Sequence, residues 1–539
     1  MTGRVIGISG PTVSVELAGL ELYERVVVGY ARLAGEVVRL ERDRAVVQVY
    51  ESTRGLGLGE PVLATGTQLT VRLGPGLLGR MFDGLQRPLA WLHEQHGPFI
   101  RPGGELPPAG SGQVLRFVPM KKPGDELHPG EAAGHVEEGP FRHHILSMGD
   151  AGTVATIVDG ECAADAPLVV LEDGRQVFAF HDWPVRLPRP YRSKLSRFEP
   201  LVTGQRSIDF LFPLARGGSA IFPGGFGTGK TILEQSIAKF ADVDIVVYVG
   251  CGERGNEMAE MLDEFCELSD PWSKRPLMDR TIVVVNTSNM PVAAREASIY
   301  TAVTMAEYYR DMGYNVLLLA DSLSRWAEAL REISAALEEM PGEEGYPTYL
   351  ASRMAGFFAR AGVVETRDGR TGSLTVMLSI SPPGGDFTEP VTQACLRSTG
   401  SFFMLDTALA HRRHFPAIHW FQSFSLYEED VAAHFDSQVA ADWSALRRRV
   451  RAMLQREESL REVAEIVGTE GLQDSDRLLM RTTEDIRRGF LAQNAYTDDA
   501  FSAPPQTHSK IGGILERHDA ASARLGKGEL LDDVLRDRS

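Results

Sequence analysis

Hydrophobic and polar positions alternate in short runs along the first part of the chain, most clearly at residues 12–17 and 44–50. Successive side chains of a strand point to opposite faces, so this alternation is typical of strands with one buried face. Glycine and proline cluster between the runs, as at residues 55–61. Several short strands at close spacing predict a small β-barrel over residues 1–70.

The pattern changes further along the chain. A break rich in proline and glycine at residues 101–112 precedes a second β-rich segment with Gly-Asp and Asp-Gly turns. From about residue 190, apolar runs alternate with helical patterns, which indicates a parallel sheet with helices on both faces. After about residue 430 the apolar spacing becomes helical. The strands predicted for the parallel sheet are 219–222, 245–249, 281–285, 316–320 and 373–381.

Composition and charge limit the classes of function that this chain can have. The 539 residues include 43% hydrophobic residues and carry a formal net charge of −17, which argues against a general nucleic-acid binder. The basic cluster at residues 447–451 lies in a helical pattern and is interpreted as a solvated or subunit-facing helix side. Neither a signal peptide nor an apolar run of bilayer length is evident, so we expect a cytoplasmic protein.

Cysteine and histidine give no sign of a zinc site. The four cysteines are far apart and form no CxxC pair, which fits a reducing compartment; they are Cys162, Cys251, Cys266 and Cys395. The adjacent His143 and His144 have no other ligand-type residues near them in sequence, so we expect them in a surface loop.

A phosphate-binding loop is the strongest local signal. The motif G-x4-G-K-[ST] follows a predicted strand and precedes a predicted helix, and its residues are Gly224, Gly225, Phe226, Gly227, Thr228, Gly229, Lys230 and Thr231. The glycines let backbone N–H groups wrap around phosphates at a helix N-terminus. Lys230 can reach the β- and γ-phosphates, and the Thr231 hydroxyl can ligate Mg²⁺.

Two acidic residues follow apolar strands. Asp321 ends the run 315–321; alone it could be a turn residue, but beside a phosphate loop it is a candidate Mg²⁺ ligand. Glu253 follows the strand 245–249, at the sheet edge where ligands bind in α/β proteins. It could orient the attacking water, with Arg254 meeting phosphate charge, or serve as a helix N-terminal acid. For Glu257, too, both a functional role and a role as a helix N-terminal acid remain open.

Several longer strings carry a family resemblance. Together with the phosphate loop they resemble the catalytic A subunit of V/A-type rotary ATPases, from the N-terminal barrel to about Phe501. The strings are GCGERGNE at 250–257, NTSNMPVAARE at 286–296, SLSRWAEALREIS at 322–334, EEMPGEEGYPTY at 338–349, SPPGGD at 381–386 and RRHFPAI at 412–418.

The resemblance implies a fold class: an α/β core of the RecA-like P-loop type with an N-terminal β-barrel, an inserted β-rich domain and a C-terminal helical domain. The segment at 110–186 is similar in place and size to the insertion that the catalytic V/A-type chains carry and F-type β chains lack. The implied domains are 1–70 (barrel), 71–109 (start of the nucleotide-binding domain), 110–186 (insertion), 187–429 (RecA-like domain) and 430–539 (helical domain).

The resemblance also assigns roles. Glu253 matches the catalytic glutamate, Lys230 and Thr231 the phosphate-loop pair, and Asp321 the Walker B aspartate. Phe415 and Phe501 fall where the family places aromatic walls around adenine. The implied cofactor is Mg²⁺ with ATP or ADP. The implied partners are a non-catalytic B subunit that supplies an arginine finger in trans, central and peripheral stalk subunits, and, indirectly, a membrane sector for H⁺ or Na⁺; no nucleic acid is expected.

Three other classes compete with this interpretation. A non-catalytic subunit of the same ring would lack an intact phosphate loop and the glutamate of the GER run. A helicase of the Rho type would show RNA-binding elements and no β-rich insertion. An F-type β chain or a secretion-system ATPase would share the chemistry but not the insertion.

Overall fold

The computed structural model describes residues 2–97, 103, 113–196 and 198–536. Apart from residue 103, the break predicted at 101–112 lies outside the described residues. The chain forms two compact units: the first comprises 1–195, 243–382 and 386–398, and the second 196–242, 383–385 and 399–539. No helix in the described part of the chain is long and apolar enough to cross a membrane.

The first unit begins with a closed six-stranded barrel, which confirms the predicted fold of this segment. Its interior is filled largely by valines such as Val13, Val26 and Val47, all fully buried. β-branched side chains pack well on a pleated surface, so this composition suits a small barrel. The strands are Thr2–Ser9, Thr12–Glu16, Glu24–Val28, Leu33–Glu41, Arg44–Val49 and Pro61–Gln68.

The predicted insertion consists of two four-stranded sheets around an apolar core that includes Phe117 and Val169. One sheet contains Phe141–Leu146, Ala132–Glu138, Val114–Pro119 and Gly160–Ala163, and the other Glu126–Leu127, Gly152–Ile157, Pro167–Leu171 and Gln176–Phe178. Between the barrel and the insertion lie the strands Thr70–Leu73 and Met81–Asp83 and the helix Leu89–His96. The strand His181–Pro184 follows the insertion and pairs with Thr70–Leu73.

The expectation of a surface loop at His143 and His144 is wrong, because both lie in a strand. His143 lies in the strand Phe141–Leu146 and is completely buried. Its Nδ1 is 2.5 Å from Glu138 Oε2 and its Nε2 is 2.7 Å from the Tyr308 hydroxyl. Neighbouring residues of a strand face opposite ways, so one of two adjacent histidines had to face inward. The adjacent His144 is half-buried.

Parallel strands form the centre of the first unit, in the order Thr371–Ile380, Asn315–Asp321, Ile245–Glu253, Thr281–Thr287 and Met81–Asp83. Eight of the nine residues of Ile245–Glu253 are buried, as expected for a strand covered on both faces. Gly362–Glu365 and Ser193–Leu195 extend the sheet in the antiparallel sense. The helices are Gly255–Glu267, Val292–Asp311, Leu323–Ala336, Leu350–Phe358 and Pro390–Leu396, with 3₁₀ turns at Leu277–Arg280 and Glu343–Gly345.

The second unit contains the strands Ser219–Pro223, Ser401–Phe402 and Phe424–Ser425, and the short pair Pro200–Leu201 and Leu214–Ala215. Its α-helices are Lys230–Phe240, Thr407–His411, Glu428–Gln438, Trp443–Val467, Asp474–Asp485, Pro504–Gly526 and Leu531–Arg536. π-helical turns lie at Ser207–Leu211 and Ile486–Leu491, and 3₁₀ turns at Pro383–Gly385, Thr469–Gly471 and Asp498–Ala500.

The basic cluster at 447–451 is only partly the solvated face that we expected. Arg448 is exposed, but Arg447 is buried and lies 3.2 Å from Glu428. Arg451 binds the same carboxylate at 2.5 Å, and Arg449 pairs with Asp519. The cluster therefore joins helices within the C-terminal part of the chain.

A buried ion network stabilises the long helix Val292–Asp311. The Glu307 carboxylate accepts hydrogen bonds from the backbone N–H of Arg189 and the Nε of Arg360, both at 3.0 Å, and Arg310 lies 3.5 Å away. Burial by itself raises the pKa of Glu307, but the charge of Arg360 and its hydrogen bonds outweigh burial, so that the pKa is lowered.

We predict that Glu307→Gln destabilises the protein by about 3–5 kcal/mol at neutral pH, because it leaves buried arginines without their counter-charge. The lowered pKa means that the carboxylate stabilises the fold above its unfolded pKa and loses this effect as pH falls through its folded pKa. The deficit should therefore shrink below about pH 4.5. Urea unfolding across pH measures it.

Glu16→Gln is the matched control, since Glu16 pairs with Arg4 at an exposed site and its loss should cost about 0–1 kcal/mol. Equal effects of the two substitutions would show that the buried network is not what stabilises this helix.

Candidate functional site

The phosphate-loop motif occupies the turn between the strand Ser219–Pro223 and the helix Lys230–Phe240 of the second unit. Gly227 and Gly229 adopt φ angles of 77° and 82°, which favour glycine. Gly224 lies so close to its surroundings that a Cβ would be 2.7 Å from the Leu405 Cβ. The backbone of this loop therefore requires glycine, and it places the start of a helix where anions bind well.

The polar side chains of the loop bind its own carbonyl groups. Lys230 Nζ donates hydrogen bonds to the carbonyls of Gly224 at 2.7 Å and Gly225 at 3.1 Å. The Thr228 hydroxyl donates to the Gly225 carbonyl at 2.8 Å. Thr231 is exposed in the first turn of the helix, and the Phe226 side chain is 86% exposed. The positive charge of Lys230 therefore lies beside the backbone carbonyls at the start of the loop.

Both predicted aromatic walls lie in the same unit as the loop. Phe415 packs on the backbone of Gly229, where a Cβ would meet its ring at 3.2 Å, and is followed by a cis peptide bond to Pro416. Phe501 stacks on Phe240, the last residue of the helix that follows the loop, with ring centroids 5.5 Å apart. The structure therefore attaches each ring to one end of that helix.

The acidic candidates lie together at the carboxyl ends of neighbouring strands in the first unit. Asp321 pairs in register with Gly250 at the end of one ladder, and on the opposite side a shift of register after Cys251 places Glu253 opposite Thr287. Such irregularities re-aim side chains at strand ends. Asp321 is 6% exposed and accepts a hydrogen bond from the Ser379 hydroxyl at 2.5 Å.

Glu253 has the electrostatics of a group that changes protonation near neutral pH. Burial and the negative charge of Asp321 raise its pKa to about 7, while Arg325 opposes them. Gly252 beside it has a φ of 73°, and a Cβ there would lie 2.6 Å from the Arg325 Cβ. A carboxylate with a pKa near the working pH is suited to accept or orient a proton.

The charged residues after Glu253 are more exposed. The Arg254 side chain is 66% exposed and its Nη1 lies 3.2 Å from Glu257 Oε1. Glu257 is 43% exposed in the first turn of the helix Gly255–Glu267, where an acid is favourable. These contacts favour the helix-terminal interpretation for Glu257.

Comparison with known proteins identifies the family. The nucleotide-binding domain of the ATP synthase alpha/beta family matches residues 204–425, its β-barrel domain 5–66 and its barrel-sandwich domain 109–186. The C-terminal domain of V and A type ATP synthase matches residues 432–531. This chain is a V/A-type member of the ATP synthase alpha/beta family. The predicted resemblance and fold class are confirmed.

Individual relatives agree over nearly the whole chain. The V-type ATP synthase alpha chain of Anaeromyxobacter dehalogenans strain 2CP-C is 52% identical, over 99% of this chain and 93% of its own length. The V-type ATP synthase alpha chain of Clostridium botulinum strain Okra is 48% identical, over 100% and 93%. The solved structure of the ATPase EscN from an enteropathogenic E. coli type III secretion system is 22% identical, with a TM-score of 0.68 over 95% of this chain and 100% of EscN. That likeness concerns the fold.

The structure adds residues of this family member that the sequence did not single out. Arg325 lies four positions after Asp321, in the helix Leu323–Ala336, and faces Gly252, and the Ser379 hydroxyl donates to the Asp321 carboxylate. Arg325 falls within the string at 322–334, shortly after the strand that ends in Asp321, and this position could have identified it as a candidate site residue. Ser379 lies on a strand distant in sequence, and nothing local to it pointed to the site.

We predict that Glu253→Gln raises the melting temperature of the ligand-free chain above pH 7. Because the folded-state pKa of about 7 exceeds the ordinary value of 4.5, the folded protein binds the proton more tightly than the unfolded chain. Wild-type stability should therefore fall as pH rises from 4.5 to 7, and the glutamine removes that loss.

Differential scanning calorimetry at several pH values checks this prediction. Glu260→Gln, an exposed change on the same helix as Glu257, should leave the wild-type profile nearly unaltered. A difference between Glu253→Gln and wild type that is constant from pH 4 to pH 8 would contradict the shifted pKa.

Proposed function

We propose that this chain is the catalytic component of a V/A-type rotary ATPase or ATP synthase. It hydrolyses or makes ATP, and the reaction is coupled to H⁺ or Na⁺ transport through a membrane sector. Family membership supports the ATP chemistry. The observation that carries the catalytic assignment is Glu253, a partly buried carboxylate at a strand end with a pKa near 7.

The phosphate loop supplies the binding of the triphosphate in this proposal. Its backbone N–H groups, at the N-terminus of the helix Lys230–Phe240, donate hydrogen bonds to phosphate oxygens. Lys230 exchanges the loop carbonyls that it now binds for β- and γ-phosphate oxygens. Gly224, Gly225, Phe226, Gly227, Thr228 and Gly229 form the rest of the nucleotide-binding loop.

Mg²⁺ bound with the nucleotide would neutralise phosphate charge. We assign Thr231 and Asp321 as its protein ligands, because hydroxyl and carboxylate oxygens are the donors that Mg²⁺ prefers. Within the described residues no cluster of three or more His, Cys, Asp or Glu side chains could hold a metal by itself. That composition fits an ion that takes its remaining ligands from phosphate and water.

Glu253 orients the water that attacks the γ-phosphate and accepts its proton, and Arg254 meets phosphate charge. Phe415 and Phe501 form the walls of the base site, since flat apolar rings suit a stacked purine. We also propose the five domains that the resemblance implies, from the barrel at 1–70 to the helical domain at 430–539.

The chain acts as part of a multi-subunit complex. We propose that a B subunit lies beside the nucleotide site and supplies the arginine finger in trans, and that central and peripheral stalk subunits connect the ring to the membrane sector. The chain would then be a cytoplasmic protein at the membrane periphery, without a nucleic-acid partner. The match to the V and A type C-terminal domain disfavours the F-type and helicase alternatives.

We predict that Glu253→Gln in the assembled complex retains Mg-ATP binding and loses ATP hydrolysis by about 10²–10⁴-fold, the range for loss of a positioned general base. Phosphate release measures turnover, and equilibrium dialysis measures binding. Wild-type turnover should rise with pH through about 7 as the Glu253 carboxylate forms.

Glu260→Gln is the control, since Glu260 is exposed on the helix Gly255–Glu267 and has no role in the proposed site, so turnover should change little. Near-normal hydrolysis by Glu253→Gln in intact complexes would remove Glu253 from the mechanism.

A further inference from the structure

Gln493 lies where three segments of the second unit meet. Its side chain is 5% exposed, and both ends of the amide are used. Nε2 donates to the Gly204 carbonyl at 2.7 Å, and Oε1 accepts the backbone N–H of Arg206 at 2.9 Å. The backbone N–H of Gln493 donates to the carbonyl of Phe415 at 2.7 Å. One residue thus fixes the loop at 204–206 and the segment at Phe415 together.

Each of these segments supports one of the aromatic rings assigned to the base site. Phe415 packs on Gly229 of the phosphate loop. Gly204, with a φ of 77°, packs under Phe501, and a Cβ at Gly204 would lie 2.3 Å from the Cδ2 of that ring. The Gly204 carbonyl that accepts from Gln493 also accepts the N–H of Ser502 at 3.0 Å. A shift of the Gln493 amide would therefore move one ring relative to the other.

The segments have other attachments that do not involve the Gln493 side chain. Arg206 is 2% exposed and donates to the carbonyl of Ala492 at 2.7 Å and to both carboxylate oxygens of Asp499 at 2.6 and 2.8 Å. Asp209 accepts the backbone N–H of Gly204 at 2.8 Å. These bonds keep the loop at 204–206 attached to residues 492–499 without the Gln493 amide, so variants of Gln493 should fold. The link from the Gly204 carbonyl, under Phe501, to the carbonyl of Phe415 runs through Gln493 itself.

We propose that Gln493 is a positioning residue for the base site, which sets the spacing of Phe415 and Phe501 and so the affinity for a purine base. The inference rests on the proposed function, since it takes the two rings as the walls of that site. The amide of Gln493 binds the loop at 204–206 and not the phosphate loop. Its effect should fall on the nucleoside part of the ligand and spare the phosphates.

The test compares Mg-ATP with Mg-tripolyphosphate, which has no base, on the full chain by calorimetric titration. Gln493→Met keeps the length of the side chain and loses both amide hydrogen bonds. Gln493→Glu keeps the acceptor for the Arg206 N–H and loses the donor to Gly204. In both variants we expect the Kd for Mg-ATP to rise about tenfold, a loss of about 1.4 kcal/mol, and the Kd for Mg-tripolyphosphate to stay within about twofold of wild type.

Gln422→Met, an exposed change in the same unit, is the matched control and should leave both Kd values unchanged. Equal weakening of the two ligands would show a merely structural role, and unchanged Mg-ATP affinity would show no role; either overturns the proposal. If one variant fails to fold by circular dichroism, the other decides. A wild-type chain that binds neither ligand would instead defeat the proposed function.

Discussion

A carboxylate at the end of a buried strand has lost much of its water, and this constraint determines the properties of the acidic residues in the first unit. Such a group must be hydrogen-bonded, matched by a cation or protonated. Asp321 is hydrogen-bonded, because the Ser379 hydroxyl of the neighbouring strand reaches it. The pKa of Glu253 is raised to about 7, because burial and the negative charge of Asp321 disfavour the carboxylate and Arg325 only partly compensates. The sheet that provides a rigid frame therefore also gives Glu253 a pKa near 7, which suits the general base that we propose.

The phosphate-loop motif in the second unit depends on backbone conformation instead. Gly227 and Gly229 adopt left-handed backbone conformations. The loop then leads into the N-terminus of the helix, and Lys230 lies within hydrogen-bond distance of the Gly224 carbonyl. Of the two aromatic rings, Phe415 packs directly on Gly229 of this backbone, whereas Phe501 packs on Gly204, in a separate segment, and on Phe240. A site of this kind gains specificity from how firmly its walls are held, which is why a buried amide such as Gln493 matters.

The sequence was most informative where structure is determined locally. The phosphate loop, the five strands and the barrel follow from glycine spacing, apolar runs and alternation, each within a few residues. Partners distant in sequence could not be predicted in this way. The prediction for His143 overlooked Glu138, which is only five positions away across a hairpin, and could not include Tyr308, which is 165 positions away. Ser379 and Gln493 escaped notice for the same reason, because a lone serine or glutamine carries no local signal.

The proposed mechanism places phosphate-, metal- and water-orienting groups on this chain but requires a neighbouring subunit for the remaining positive charge. Steady-state ATP hydrolysis, measured with the purified chain alone and with increasing cognate B subunit, tests it most directly. An arginine supplied in trans contributes roughly 10³–10⁵ in rate, so we expect slow turnover alone, a large rise on mixing and no response to single-stranded RNA. Fast turnover without a partner, or turnover stimulated by RNA and indifferent to the B subunit, would contradict the account.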